Sequence, residues 1–179
     1  MANKLIGSVG LAPGTDTGFD LDTKGQLHSY TSTQYALDVG NDSDILVCDS
    51  GEASGLKYTA NTTSFILACS DETTAISDTG TVLTFYTPFA FKVTEVRASL
   101  TTTSSSGTPT IDINDGATTI LSTKITIDAG DLISTDSATQ PVIDDSDLAD
   151  KAKITIDIDV TGNDATGLKV YIIGYRVVH

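Results

Sequence analysis

An all-β fold is the prediction, and three observations carry it. Helix formers such as Glu, Gln, Lys, Arg and Met are scarce while Thr, Ile and Val are abundant, a composition that favours extended backbone. In Thr110-Ile111-Asp112-Ile113 and in Ile154-Thr155-Ile156-Asp157-Ile158-Asp159-Val160, apolar residues alternate with Asp or Thr, the period-two pattern of a half-buried strand. Clusters of Thr, Ser, Asp and Gly recur between the apolar pieces, as turns do in an antiparallel sandwich or jelly roll.

The chain divides near Ala60 into two domains, 1–60 and 61–179. Residues 1–60 are punctuated by Gly7, Gly10, Pro13, Gly14, Gly18, Gly25, Gly40, Gly51 and Gly55, leaving three short apolar pieces. These predict strands over Leu27 to Tyr30, Tyr35 to Val39 and Ile45 to Cys48, with Asn41-Asp42-Ser43-Asp44 as the turn between the last two. So few large apolar side chains cannot bury enough surface for independent folding, so this segment is expected to pack on copies of itself or on a host particle. Residues 1–20 read as an extended arm.

Residues 61–179 predict a chain of strands: Phe65 to Ser70, Thr81 to Tyr86, Phe91 to Leu100, Thr108 to Ile113, Thr118 to Leu121, Lys124 to Ile127, Pro141 to Ile143, Ala152 to Val160 and Leu168 to Val178. Their Ile and Val residues face inward and their Asp and Thr residues form an acidic face in water. Asn114-Asp115-Gly116 is a hairpin turn. A short helix over Asp144 to Asp150 is expected, with Asp145-Ser146-Asp147 as its cap. Ala53-Ser54-Gly55-Leu56-Lys57-Tyr58 echoes Ala165-Thr166-Gly167-Leu168-Lys169-Val170-Tyr171, and shared turn chemistry accounts for the echo.

Charge excludes some partners. The 179 residues hold 24 Asp plus Glu against 10 Lys plus Arg, a formal net charge of −14. Nucleic acid is not an expected partner, because phosphate contacts need clustered cations, and a basic membrane-surface anchor is excluded for the same reason. No apolar run has the length of a membrane span, and Met1 to Gly10 lacks the apolar core of a secretory signal. Cys48 and Cys69 are too few for a disulfide scaffold and have no metal-ligand spacing, so both read as half-buried thiols.

Catalytic chemistry finds little support, and no catalytic, cofactor-binding or metal-ligating residue is assigned. A nucleophilic triad needs a His, and the chain has two: His28, inside a predicted strand, and His179, the last residue. Asp112, Asp157 and Asp159 could in principle cleave glycosides, but their alternation with Ile is that of a solvated strand face, and there is no Trp to form a sugar platform. Oxygen-rich runs at Asp112 to Gly116 and at Asp144 to Asp147 are candidate calcium loops, with the second preferred, since the first does not continue with EF-hand spacing and an Asn-Asp-Gly hairpin turn explains it without metal. Asn41 and Asn61 stand in glycosylation sequons that matter only in a secreted eukaryotic protein. Phe85, Tyr86, Phe89 and Phe91 around Pro88 form an aromatic cluster assigned to packing rather than to a ligand shelf.

Two ordered stretches carry a resemblance. Lys24-Gly25-Gln26-Leu27-His28-Ser29-Tyr30, Ala36-Leu37-Asp38-Val39-Gly40, Asp44-Ile45-Leu46-Val47-Cys48-Asp49-Ser50 and Gly55-Leu56-Lys57-Tyr58 together resemble a trimeric, intertwined module of tailed-bacteriophage fibres and head appendages, with Gln26, Asp38, Cys48 and Tyr58 at positions where the module has Asp, Pro, Ala and Trp. Ser70 to Ile76, Phe85 to Phe89, Val96 to Leu100, Gly107 to Asn114 and Ile120 to Lys124 look like a β-sandwich domain of virion structural proteins. The resemblance implies a phage particle component that carries no catalytic residues.

About 60 residues before the sandwich suffice for an arm but not a long shaft, so the expectation is a capsid decoration, cement or head-fibre protein on the virion surface. It would be a homotrimer whose partners are itself and the major capsid protein. The alternative is a tail-fibre or spike tip whose sandwich binds host surface glycan, with Tyr86 or Tyr30 stacking on sugar.

Overall fold

The computed structural model describes residues 27–30, 34–41 and 44–177, and the arm expected over residues 1–20 lies outside them. The fold is all-β. Fifteen strands are found among the described residues: β1 (Leu27–Tyr30), β2 (Gln34–Leu37), β3 (Asp44–Cys48), β4 (Leu56–Ala60), β5 (Thr62–Ala68), β6 (Gly80–Tyr86), β7 (Phe91–Ser99), β8 (Thr110–Asp115), β9 (Thr118–Thr119), β10 (Leu121–Thr123), β11 (Ile125–Thr126), β12 (Val142–Ile143), β13 (Asp147–Leu148), β14 (Lys153–Val160) and β15 (Lys169–Arg176). A single 3-10 turn over Ser134–Asp136 is the one helical element among them.

The chain forms two compact units. One comprises Met1–Asn41 with Leu46–Thr59, the other Asp42–Ile45 with Ala60–His179. In the first, β1 and β2 form an antiparallel hairpin pairing Leu27 with Leu37, and β3 pairs with β4. Lys57 closes an ion pair on Asp49 at 2.5 Å, and the Tyr58 ring lies against Gly40. Leu46 and Val39 stay exposed, as expected of a segment with too few apolar groups to cover itself.

The second unit is a β-sandwich. One antiparallel sheet runs β13-β7-β15-β5 and the other β11-β8-β14-β6, with β9 paired to β8 and a separate β10-β12 pair. Alternation sets the faces: Val93, Val96, Ala98, Val170 and Ile172 from the first sheet meet Ile111, Ile113, Ile154, Ile156 and Ile158 from the second in one core. At about 25 cal/mol per Å² of apolar surface, each fully buried Ile contributes about 2 to 3 kcal/mol before conformational entropy is subtracted.

Gly174 is required by a close approach. A Cβ there would fall 1.9 Å from the Lys92 carbonyl oxygen and 2.9 Å from the Phe91 ring, which occupies that space. Phe91 thereby reaches Phe65, with centroids 4.9 Å apart, while Phe85 and Phe89 lie 5.6 and 6.1 Å from Phe65. The expected aromatic cluster is therefore core packing for its three phenylalanines, extended by Phe65, while Tyr86 points out at 63% exposure.

Two expectations need correction. No helix forms over Asp144 to Asp150: Asp147 and Leu148 pair with Lys92 and Phe91 as a short edge strand, and the Ser146 carbonyl accepts from the Val93 N–H. Burying Leu148, 2% exposed, against the core outweighs a lone capping signal on so short a segment. Strand β5 also begins earlier than its apolar run, at Thr62, because pairing with β15 holds Thr62, Thr63 and Ser64 extended regardless of polarity.

Candidate functional site

A network of polar side chains in the second unit lies on the outer face of the β8/β14 sheet. Register sets it: Asp157 of β14 stands opposite Asp112 of β8, and Thr155 opposite Asn114. Strand β11 pairs Ile125 with Ile111, which brings the preceding Lys124 alongside Asp112. Three of the acids named from the alternation are thus brought together.

This face is not the solvated acidic surface that alternation predicts. The Asp112 side chain is only 8% exposed. Its Oδ2 lies 2.9 Å from Lys124 Nζ, while its Oδ1 accepts from the Thr119 hydroxyl and from the Ile113 N–H. Lys124 also pairs with Asp159, at 2.5 Å, and these two side chains are each more than a third exposed. The Asp159 and Asp112 carboxylates, in that order, hold the Lys124 ammonium above its ordinary value. Asn114 Nδ2 donates to Asp157 Oδ2 at 3.1 Å, and Asp157 Oδ1 is buried without a hydrogen-bond partner.

The β8–β9 hairpin makes this possible. Gly116 occupies its first central position with φ 62°, the left-handed value that the Asn-Asp-Gly run supplies. The turn carries Thr119 back over Asp112. What the arrangement does chemically is hold strands: one cation bridges two carboxylates, and an amide and a hydroxyl take up further oxygens. Glycoside cleavage needs two carboxylates free to flank a bond, and here Asp112 has both oxygens engaged.

The other sequence candidates separate. His28 lies in the backbone of β1, and its side chain, like His179, lies outside what is described. In the run Asp144 to Asp147, the Asp144 and Asp145 N–H groups donate to the Ile120 carbonyl, and Asp147 Oδ2 binds Lys92 at 2.7 Å. Among the described residues no three His, Cys, Asp or Glu side chains converge as metal ligands.

Cys48 is exposed and Cys69 buried, both as free thiols. Burial pushes the Cys69 thiol up to about 11, an unreactive position beside a cleft lined by Ile76, Val82 and Ile158.

Composition alone did not reveal the tie at Asp71 and Glu72. Asp71 Oδ1 accepts from the Thr73 N–H and hydroxyl and from the Thr74 N–H, which holds its carboxyl well below the usual range. Glu72 binds Lys169 and Thr101, fastening this loop to β15 and to the end of β7. An Asp followed two and three residues later by Thr is the signal that could have found the first of these turns.

No protein-family model, curated protein or solved structure matches the chain.

Proposed function

We propose that this protein is a non-enzymatic structural component of a tailed-phage particle, a homotrimer that decorates and stabilises the capsid through its N-terminal segment. The observation that carries the reading is the use made of the polar residues. The carboxylates of Asp112, Asp157 and Asp159 are taken up by Lys124, Thr119 and Asn114 in tying strands together. A sandwich in which this acid cluster ties its own strands together suits a clamp better than a catalyst. The ordered resemblance of residues 24–58 and 70–124 to phage appendage modules supports the same reading, and a net charge of −14 would keep decorated particles apart.

The test is co-sedimentation of the full chain with capsids lacking it, beside a chain without residues 1–20. Binding by the full chain alone is expected. Binding by neither, or equally by both, overturns the anchored-clamp reading. A second reading, a fibre tip that binds glycan, rests on the exposed ring of Tyr86. It predicts adsorption of the chain to host cells that Tyr86→Ala abolishes.

A further inference from the structure

On the outer face of the β7/β15 sheet, register places Tyr171 of β15 between Ile66 of β5 and Arg97 of β7, and the next outward residue, Ile173, between Ser64 and Glu95. Beside them opens a cleft of about 180 Å³ lined by Arg97, Ser99, Ile133, Thr135, Tyr171 and Ile173. One wall is the segment over residues 132–135, drawn against β7. Ser99 bridges Ile133, the Leu100 N–H donates to the Leu132 carbonyl at 2.8 Å, and the Ala98 N–H donates to Ser134 Oγ at 2.9 Å. Gln140 Nε2 in turn donates to the Ser137 and Ser134 carbonyls at 2.7 and 3.1 Å, which fastens the 3-10 turn that carries Thr135. The wall is held by the chain's own bonds, so a ligand has little left to order.

The lining is chemically mixed. Ile133, Ile173 and the Tyr171 ring contribute carbon, and Ile133 is 41% exposed. Ser99 Oγ and Tyr171 Oη lie 3.1 Å apart, and either can be the donor. Whichever donates, the other keeps its proton and both oxygens keep a lone pair, so this point both donates and accepts. Thr135 adds a third hydroxyl. Arg97 donates through Nε to Glu95, so its charge is matched before any ligand arrives.

These properties select a ligand class. A phosphate or carboxylate needs an unmatched cation, and here Glu95 neutralises Arg97 within a chain of net charge −14. A wholly apolar molecule would strip water from three hydroxyls without replacing its hydrogen bonds. An added strand finds no edge, since β15 is flanked by β5 and β7, and β7 is covered at this end by the Ser99–Ile133 bridge. What fits is a small neutral molecule with hydroxyls that both donate and accept and with a carbon face to lay on the ring and the isoleucines. The space equals about six waters at about 30 Å³ each, room for one ring. We infer that this cleft binds one pyranose ring of a neutral saccharide, the Ser99 and Tyr171 hydroxyls bonding its hydroxyls and its C–H face lying on the Tyr171 ring and Ile173. The inference shares its ligand class with the second reading above but rests on other residues, since Tyr86 belongs to β6 of the opposite sheet, and it does not involve capsid attachment.

The experiment is an NMR titration of the isotope-labelled full chain with the methyl glycosides of glucose, galactose, mannose and N-acetylglucosamine. Each is carried to about 100 mM, because a single ring is expected to dissociate in the millimolar range. At least one is expected to saturate, with shifts gathered at the amides of residues 97–99, 133–135 and 171–173. Ser99→Ala and Tyr171→Phe each delete one hydroxyl and keep the rest of the cleft; each is expected to weaken that glycoside about two- to tenfold, the worth of one hydrogen bond. Tyr86→Ala is expected to leave its affinity unchanged. The absence of saturating shifts with all four glycosides overturns the proposal, as does tighter binding of glucuronate or inorganic phosphate. So does an affinity that neither hydroxyl deletion changes. Shifts gathered around Tyr86 and lost in Tyr86→Ala overturn it too, while leaving the glycan-binding reading standing.

Discussion

The two sheets of the sandwich use the same alternating strands, yet their outer faces are held in different ways. On the β7/β15 sheet three cations each have their own acid, Lys92 with Asp147, Arg97 with Glu95 and Lys169 with Glu72, while Arg176 lies over the Phe89 ring. Charge in those pairs is balanced in solvent, where screening leaves each pair little influence on stability. On the β8/β14 sheet one cation, Lys124, serves two carboxylates, and a third, Asp157, has only an amide donor. The difference shows where each sheet is vulnerable: the first through the fit of its inner face, the second through a single outer side chain.

The largest effect should come from breaking the first sheet at its closest approach. Gly174→Val would drive a side chain into the Lys92 carbonyl, separating β15 from β7 in the middle of the sheet. Loss of the cooperative thermal transition is expected; a native-like melt would show that the bulge beside Gly174 absorbs the side chain. Phe91→Ala, at a side chain 0% exposed, removes the ring that bridges β7 to Phe65 and should cost about 3 to 5 kcal/mol in urea unfolding. A cost under about 1 kcal/mol would mean that Phe65, Phe85 and Phe89 close the gap.

Lys124→Met tests the second sheet. It leaves Asp112 buried without its cation, and solvent access to Lys124 and Asp159 reduces the expected cost to about 1 to 2 kcal/mol. The pH dependence gives the effect a sign. Because the Lys124 value is raised in the folded chain, its contribution is fully present below the ordinary 10.5 and is lost as pH climbs through the raised folded value. Thermal melts from pH 8 to 11.5 should show the gap between wild type and variant narrowing at the alkaline end. A gap that stays constant would assign the loss to packing of the lysine stem instead.

Much of this architecture was legible in the sequence. Alternation located β1, β6, β7, β14 and β15 closely because each is a run in which a period-two pattern and its turns agree. Strands of two residues are harder: the residues of β13 carry a helix-capping pattern, and Thr118 to Leu121 divides into the separate strands β9 and β10, because such pieces are defined by a partner rather than by their own residues. The site was half legible. Asp112, Asp157 and Asp159 could be picked out as one face, but their burial could not, since it depends on a hairpin returning Thr119 over Asp112 and on Lys124 arriving from β11. Sequence spacing records which side a residue faces, not what folds across it.

The finest test concerns Asp157, where the second sheet carries an apparent defect. Its Oδ1 is buried without a donor, and across the ladder stands Asp112, a like charge whose cation, Lys124, is shared with Asp159. Asp157→Asn keeps the shape and the acceptor for Asn114 while removing one of two facing charges, so a gain of about 0.5 kcal/mol is expected in urea unfolding. In the Lys124→Met background Asp112 has no counterion, so the same substitution should gain more, about 1 kcal/mol, and the double-mutant cycle reads that difference as coupling. A loss of 1 kcal/mol or more in either background would mean that Oδ1 accepts from a bound water that the amide displaces, and the sheet would then be balanced on both sides of Asp112 rather than on one.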